Sequence, residues 1–305
     1  MMNVNNSTSA FYDSAILGMT ALRTQAESLQ QQMGNGERLT RSSDDPVAAS
    51  RLRMLARNES FSKVDETAAN RANADLTLAD TALSSFGDYI NRIRDLTLKA
   101  ANDTLTSEQR SAIGQEIGQL HGDLVALANT RDSAGHALFG GETAGDAYTL
   151  DGSGNASYVG TATSSELSLG DGQTVTSSVT GPEFLNFDVN GTPTNLLAVV
   201  KSLGEALQGG VADPAATANA TLDALSSGFN AVTTAQTLVG SRLSWVEMTS
   251  ARRVDLSELR STEQSALGGT DIAATLSRLQ EVSLVLNASQ ASFTKLASLS
   301  LFNQI

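Results

Sequence analysis

Glu37-Arg38-Leu39-Thr40-Arg41-Ser42-Ser43-Asp44-Asp45-Pro46-Val47-Ala48-Ala49-Ser50 is the stretch whose reading decides the organisation of this chain. Its first half has no apolar period and follows Gly34 and Gly36, so 37–43 reads as a linker. Its second half is a helix start. An Asp side chain can accept the orphan N–H groups of a first turn, and Pro46 lacks an N–H that would have no partner there. From this point the pattern predicts helix to about residue 101, with Ala69, Ala72, Leu76, Ala79, Leu83, Phe86, Ile90 and Ile93 on one face. Such a helix would be roughly 80 Å long at about 1.5 Å per residue, the dimension of a rod.

Working outward toward the N-terminus, Phe11, Ala15, Met19, Leu22, Ala26, Leu29 and Met33 recur at steps of four and three. That is the spacing of a coiled-coil seam. Toward the C-terminus, Asn102-Asp103 ends the long helix and Thr106-Ser107-Glu108-Gln109 matches a capping box. The next helix carries Ile113, Ile117, Leu120, Leu124 and Leu127 and should fold back antiparallel on its predecessor.

Between Gly141 and Val200 the helical period vanishes. Segments 147–150, 156–159 and 174–176 read as short strands, with Asp151-Gly152 and Asp171-Gly172 as hairpin dipeptides. The stretch holds Glu142, Asp146, Asp151, Glu166, Asp171, Glu183 and Asp188 and no Lys or Arg, so it reads as an acidic, solvent-facing β-rich insert. Helix returns over 196–207, pauses at Gly209-Gly210 and restarts after Asp213-Pro214. Leu222, Leu225, Phe229, Val232, Val239, Leu243 and Val246 keep the four-three spacing until Gly268-Gly269. Thr270-Asp271 then caps a last helix with Ile272, Leu276, Leu279, Val282, Leu286, Phe293 and Leu296 on its face.

The expected fold is mainly α with a β-rich insert, a long antiparallel helical bundle built from both halves of the chain. Three domains follow from the breaks: 1–43 with 268–305 as a terminal coiled-coil domain, 44–139 with 210–267 as a helical rod, and 140–209 as the insert. Each terminal helix is set off by glycines and presents an apolar stripe, so both ends need partners. These seam residues are the candidate assembly site, and Asp44, Asp45 and Pro46 the candidate structural cap.

Composition narrows the function. The chain has 33 acidic against 20 basic residues, a net charge of −13, which argues against nucleic acid or an anionic membrane surface as partner. It has no Cys, so no disulfide, thiolate metal site or thiol nucleophile is possible. With two histidines, His121 and His136, and no His-carboxylate spacing, neither a catalytic metal site nor a cofactor is expected. Gly140-Gly141 and Gly152-Ser153-Gly154 lack the Gly-Lys-Ser/Thr of a phosphate loop and read as turns, and Asp151-Gly152-Ser153-Gly154-Asn155 lacks the full ligand spacing and closing Glu of a calcium loop. The pair Asp44-Asp45 is explained by capping better than by acid–base work. The start, Met1-Met2-Asn3-Val4-Asn5-Asn6-Ser7, lacks the basic and apolar regions of a cleavable signal peptide, and no stretch is apolar and long enough to span a bilayer.

The 37–50 stretch strongly resembles the hallmark segment of the flagellin superfamily. Flagellins have a similar Asp pair but usually continue Ala-Ala-Gly; Pro46-Val47-Ala48-Ala49-Ser50 is nearer the branch whose members join flagellar hook to filament. Leu105 to Arg110, Leu127 to Asp132 with Leu138-Phe139-Gly140-Gly141, Leu238 to Arg242 and Leu299-Ser300-Leu301-Phe302 also resemble that superfamily, in order along the chain. The doubled Met1-Met2 and the absence of an Arg-Ile-Ser-Thr opening depart from it. The resemblance implies a non-enzymatic structural protein of the bacterial flagellum, exported by the flagellar type III route without signal cleavage. It implies an inner tube formed by the terminal helices, an outer insert, and self-association in a ring. The implied partners are a hook-associated protein on the hook side, flagellin on the filament side and an export chaperone at the C-terminal helix. Three other readings stay open: a short flagellin forming the filament itself, an adhesin-like binding module on the insert, and an intracellular coiled-coil adaptor.

Overall fold

The structure, a computed structural model, describes residues 3–302, with side chains described from 10 to 296. Long helices dominate, and the strands form only small antiparallel pairs. In chain order the elements are α1 (Asn3–Asn35), α2 (Pro46–Ala100), α3 (Ser107–Ala128), β1 (Tyr148–Leu150), β2 (Ala156–Tyr158), β3 (Glu166–Gly170), β4 (Gln173–Thr176), α4 (Gly181–Leu185), β5 (Asn186–Val189), β6 (Thr192–Asn195) and α5 (Leu196–Glu205). A π-helical turn (Ala206–Gly210), α6 (Pro214–Gly268) and α7 (Ile272–Phe302) complete it. The chain divides into two compact units, residues 1–60 with 256–305 and residues 61–255, and α2 and α6 contribute to both.

In the 61–255 unit the predicted stripe of α2 is buried throughout: Ala69, Ala72, Leu76, Ala79, Leu83, Phe86, Ile90 and Ile93. Ile117 and Leu124 of α3, Leu196, Leu197, Val200 and Leu203 of α5, and Leu225, Val232, Val239 and Val246 of α6 join the same core. Small side chains let backbones approach closely. A Cβ on Gly114 of α3 would lie 2.7 Å from the carbonyl oxygen of Gly204 on α5. Phe86, Phe139 and Phe184 form an edge-to-face triad with centroids 4.9–6.4 Å apart. Each such contact adds about 0.5–1.5 kcal/mol beyond area burial.

Local chemistry explains the boundaries. Thr106 caps α3 by accepting from the Gln109 N–H while the Gln109 side chain accepts from the Thr106 N–H, a reciprocal capping box. After α3, the Asn129 amide both donates to the Tyr148 carbonyl and accepts from the Tyr148 N–H at 2.8 Å, substituting for a strand partner.

The three strand pairs are separate two-stranded antiparallel hairpins. Asp171 and Gly172 turn the second with positive φ at both, and Asn190 and Gly191 turn the third in the same way, the requirement of a type I′ turn. Asp151-Gly152 differs from the expected two-residue turn. Asp151 accepts from the Ser153 and Asn155 N–H groups and the Asn155 side-chain amide, which closes a longer loop between β1 and β2. Arg242 of α6 donates to the Ser178 carbonyl at 2.7 Å, and Arg253 donates to that of Leu169, tying the β3–β4 region to α6.

Candidate functional site

The candidate site is the pair of terminal helices and the clasp at their base, all within the unit of residues 1–60 and 256–305. The helices run antiparallel: Glu37 bridges Gly269 at one end, while Tyr12 meets Phe293 at the other. On α1 the covered apolar and aromatic positions are Tyr12, Ala15, Met19, Leu22, Ala26, Leu29 and Met33, an unbroken three-four series, with polar Ser28 and Gln32 also partly covered. On α7 the covered positions are Thr275, Leu279, Val282, Ser283, Leu286, Ser289 and Phe293.

The seam therefore differs in detail from the sequence pattern. Phe11 lies outside it and Tyr12 takes its place; on α7 Ile272, Leu276 and Leu296 are exposed, with polar Thr275 and Ser289 at seam positions. The physical reason is surplus. Both helices carry more apolar residues than one neighbouring helix can cover, so apolar spacing alone does not single out one face.

That surplus is the main property of the pair. Within it only Leu29 and Val282 are buried among the described side chains. Phe11, Ile16, Leu17, Ile272, Leu276, Leu284, Val285 and Leu296 face solvent, and Leu17 and Leu284 are each 71% exposed.

At the base, Arg38 organises the crossing. Its N–H donates to the Gly268 carbonyl at 2.7 Å, and its Nη2 donates to the Leu267 carbonyl at 2.9 Å and to Asp45 Oδ2 at 3.2 Å. Asp45 Oδ1 accepts from the Ala48 N–H and so caps α2. Asp44 does not cap that helix; its carboxylate accepts from the Arg41 N–H and the Thr40 hydroxyl and closes the turn before it. Pro46 opens the helix at its first position. The Ala48 N–H, then Arg38, hold the Asp45 carboxyl below its ordinary range, and the Arg41 N–H does the same for Asp44. Higher up, Arg51 grips Glu263 through two bonds of 2.6 and 2.9 Å, and Glu59 accepts from Ser257 and Arg260.

No cluster of three or more His, Cys, Asp or Glu among the described residues is placed to hold a metal ion, and no described helix is long and apolar enough to cross a membrane. His121 is buried, and burial, then the neighbouring Lys201, push its pKa down, which favours the neutral ring. His136 lies 3.6 Å from Asp132. Asp75 escaped the sequence reading. It falls on the buried stripe of α2, three residues after Ala72 and four before Ala79, and that misplaced charge was the available signal.

Residues 6–144 match the model for the bacterial flagellin N-terminal helical region. Flagellar hook-associated protein 3 of Escherichia coli (strain K12) is 29% identical over 97% of this chain and 98% of its own length. Flagellin B of Vibrio anguillarum is 28% identical over only 49% of this chain and 39% of its own length. Among solved structures, flagellar hook-associated protein 3 from Legionella pneumophila superposes with a TM-score of 0.61 at 16% identity, over 75% of this chain and 99% of that one. In its long helices, its paired ends and these likenesses the chain resembles the flagellin-like structural proteins of the bacterial flagellum. Within that class the chain is a homologue of flagellar hook-associated protein 3.

Proposed function

We propose that this chain is a non-catalytic, exported subunit of the flagellum that forms the junction between hook and filament by self-assembly through α1 and α7. The observation that carries the reading is the exposed apolar surface of the helix pair, with Leu17 and Leu284 each 71% exposed. Covering a Leu or Ile side chain fully is worth about 1.5–3 kcal/mol. The eight exposed apolar side chains are already partly covered, so their sum is of the same order as the roughly 4–15 kcal/mol cost of association. A single neighbour is then marginal, and several must engage the pair together. Such a chain stays unassembled until neighbours present a groove, as incorporation at a growing tip requires.

In this reading the terminal segments 1–43 and 268–305 line an inner tube, 44–139 with 210–267 form the shell around it, and the acidic insert 140–209 faces outward. Copies of the chain close a ring, with a hook-associated protein below and flagellin above. An export chaperone covers α7 beforehand, for the same reason that neighbours cover it afterwards. The match to hook-associated protein 3 along nearly the whole chain, against half for flagellin, favours the junction over the filament.

The test is Leu17→Asp and Leu284→Asp, followed by incorporation of the secreted chain into flagella. Loss of incorporation with unchanged helicity supports the reading; normal incorporation contradicts it. Spontaneous growth of long filaments from the purified chain would assign it to the filament instead.

A further inference from the structure

In the 61–255 unit the buried stripe of α3 reads Gly114, Ile117, His121, Leu124, Val125 and Ala128, so one titratable ring stands among apolar side chains. His121 is 8% exposed, and its Nε2 is buried with no hydrogen-bond partner. A neutral ring can leave Nε2 as its unprotonated nitrogen, an idle acceptor. An imidazolium carries N–H on both nitrogens, and one of them would then be buried without an acceptor.

What faces the ring follows from the close glycine contact beside it. A Cβ on Gly204 of α5 would lie 3.3 Å from the Gly114 carbonyl oxygen and 3.5 Å from the Gly118 nitrogen. Leu207 and Gln208 lie against Gly114, so the two helices run antiparallel. Three residues along α3 from Gly118, and three back along α5 from Gly204, His121 stands opposite Lys201. That lysine is held in place. Its side chain is 17% exposed and ion-paired to Glu205, and its Cε reaches Gly154 in the loop between β1 and β2. Beyond Glu205, α5 ends in the π-helical turn Ala206–Gly210, where Gly209 has a φ of 107°. An irregular turn with a left-handed glycine is a place where a helix can pivot.

We propose that His121 is an acid-sensitive latch between α3 and α5: neutral, it lets α5 seat on α3; protonated, it drives α5, with the β1–β2 loop that Lys201 touches, away about the 206–210 turn. This inference does not rest on the assembly reading.

The surrounding charges favour this direction. Burial, then Lys201, oppose protonation of the ring, and Glu205, itself paired to Lys201, offsets them only in part. Asp123, two residues along α3, is exposed on another face, and Asp151 interacts with Lys201 from the β1–β2 loop. The folded-state pKa of His121 therefore lies below the ordinary value of 6.5 that the released ring regains. The latch is closed in full above that ordinary value and weakens as pH falls toward the folded one.

The test is amide exchange of the full chain, read as protection factors between about pH 7 and about pH 5. Protection across 117–125 and α5 should fall roughly tenfold or more, while that of 83–93 in α2 holds. His121→Leu should abolish the fall, and Lys201→Gln, which removes the facing ammonium, should make it smaller. With two histidines in the chain, the His121 ring resonance in wild type decides the matter even if the leucine variant does not fold. It should take up its proton below the ordinary value. The proposal is overturned by constant protection of α5 in wild type, by an equal fall in a folded His121→Leu, or by a His121 ring that protonates at its ordinary value while α5 stays protected.

Discussion

Tyr12 and Phe293 meet edge to face with ring centroids 5.4 Å apart, near the ends of α1 and α7 farthest in sequence from the Arg38 clasp. The helix pair is thus fastened at both ends, by an aromatic contact at one and by hydrogen bonds at the other. Between them the seam is covered but mostly not buried.

Phe293→Ala removes the aromatic fastening and about 0.5–1.5 kcal/mol of pair energy in addition to its packing. In the unassembled chain, amide exchange should quicken in the first half of α1 and the last half of α7. Exchange across the core of the 61–255 unit should be unchanged. Uniform acceleration across both would mean that the aromatic pair holds more than the terminal helices.

Asp45→Ala removes the cap of α2 and the Arg38 partner together, so it should lower the stability of the 1–60 and 256–305 unit more than Asp44→Ala does. Asp45→Asn should recover part of that loss, because an amide oxygen still caps. The pH dependence has a definite sign. The folded-state pKa of Asp45 is depressed, so its contribution is present above the unfolded carboxylate value and fades as pH falls through the folded one. Thermal unfolding of wild type and Asp45→Asn should therefore converge in acid and separate toward neutrality.

Gly114→Ala forces a methyl group against the Gly204 carbonyl, 2.7 Å from the ideal Cβ, and against Leu207 at 2.9 Å. Overpacking of this kind costs about 1–3 kcal/mol. Denaturant unfolding should show it as a lower midpoint. Gly118→Ala, on the same helix with open space around its Cβ, should be neutral or stabilising, because Ala is the better helix former.

Much of this was legible because α2, α3 and α6 carry long apolar periods between strong punctuation. Asp45-Pro46, Thr106 and Gly268 mark boundaries that the structure places within a residue or two. The terminal seam was legible in period and, over most of its length, in phase; the departures are Phe11 on α1 and Ile272, Leu276 and Leu296 on α7. Phe11 and Tyr12 are both aromatic, and Ala15 stands at a helical step from either, four residues from one and three from the other. On α7 the apolar content is high on several faces, so Ile272 and Leu276 looked equivalent to Leu279.

The β3, β5 and β6 strands were illegible for another reason. Each is at most five residues long, and β6 (Thr192–Asn195) contains Pro193, which local pattern reads as a breaker. Lys201 stands opposite His121 only because the tertiary fold lays α5 against α3, which no local pattern states.

The most direct test is to remove this chain from its cell and examine flagella by electron microscopy, with fractionation of the medium. The account predicts completed hooks without filaments and flagellin lost to the medium, restored by the wild-type chain but not by Leu17→Asp. Filaments of normal length on hooks that lack this chain would contradict it.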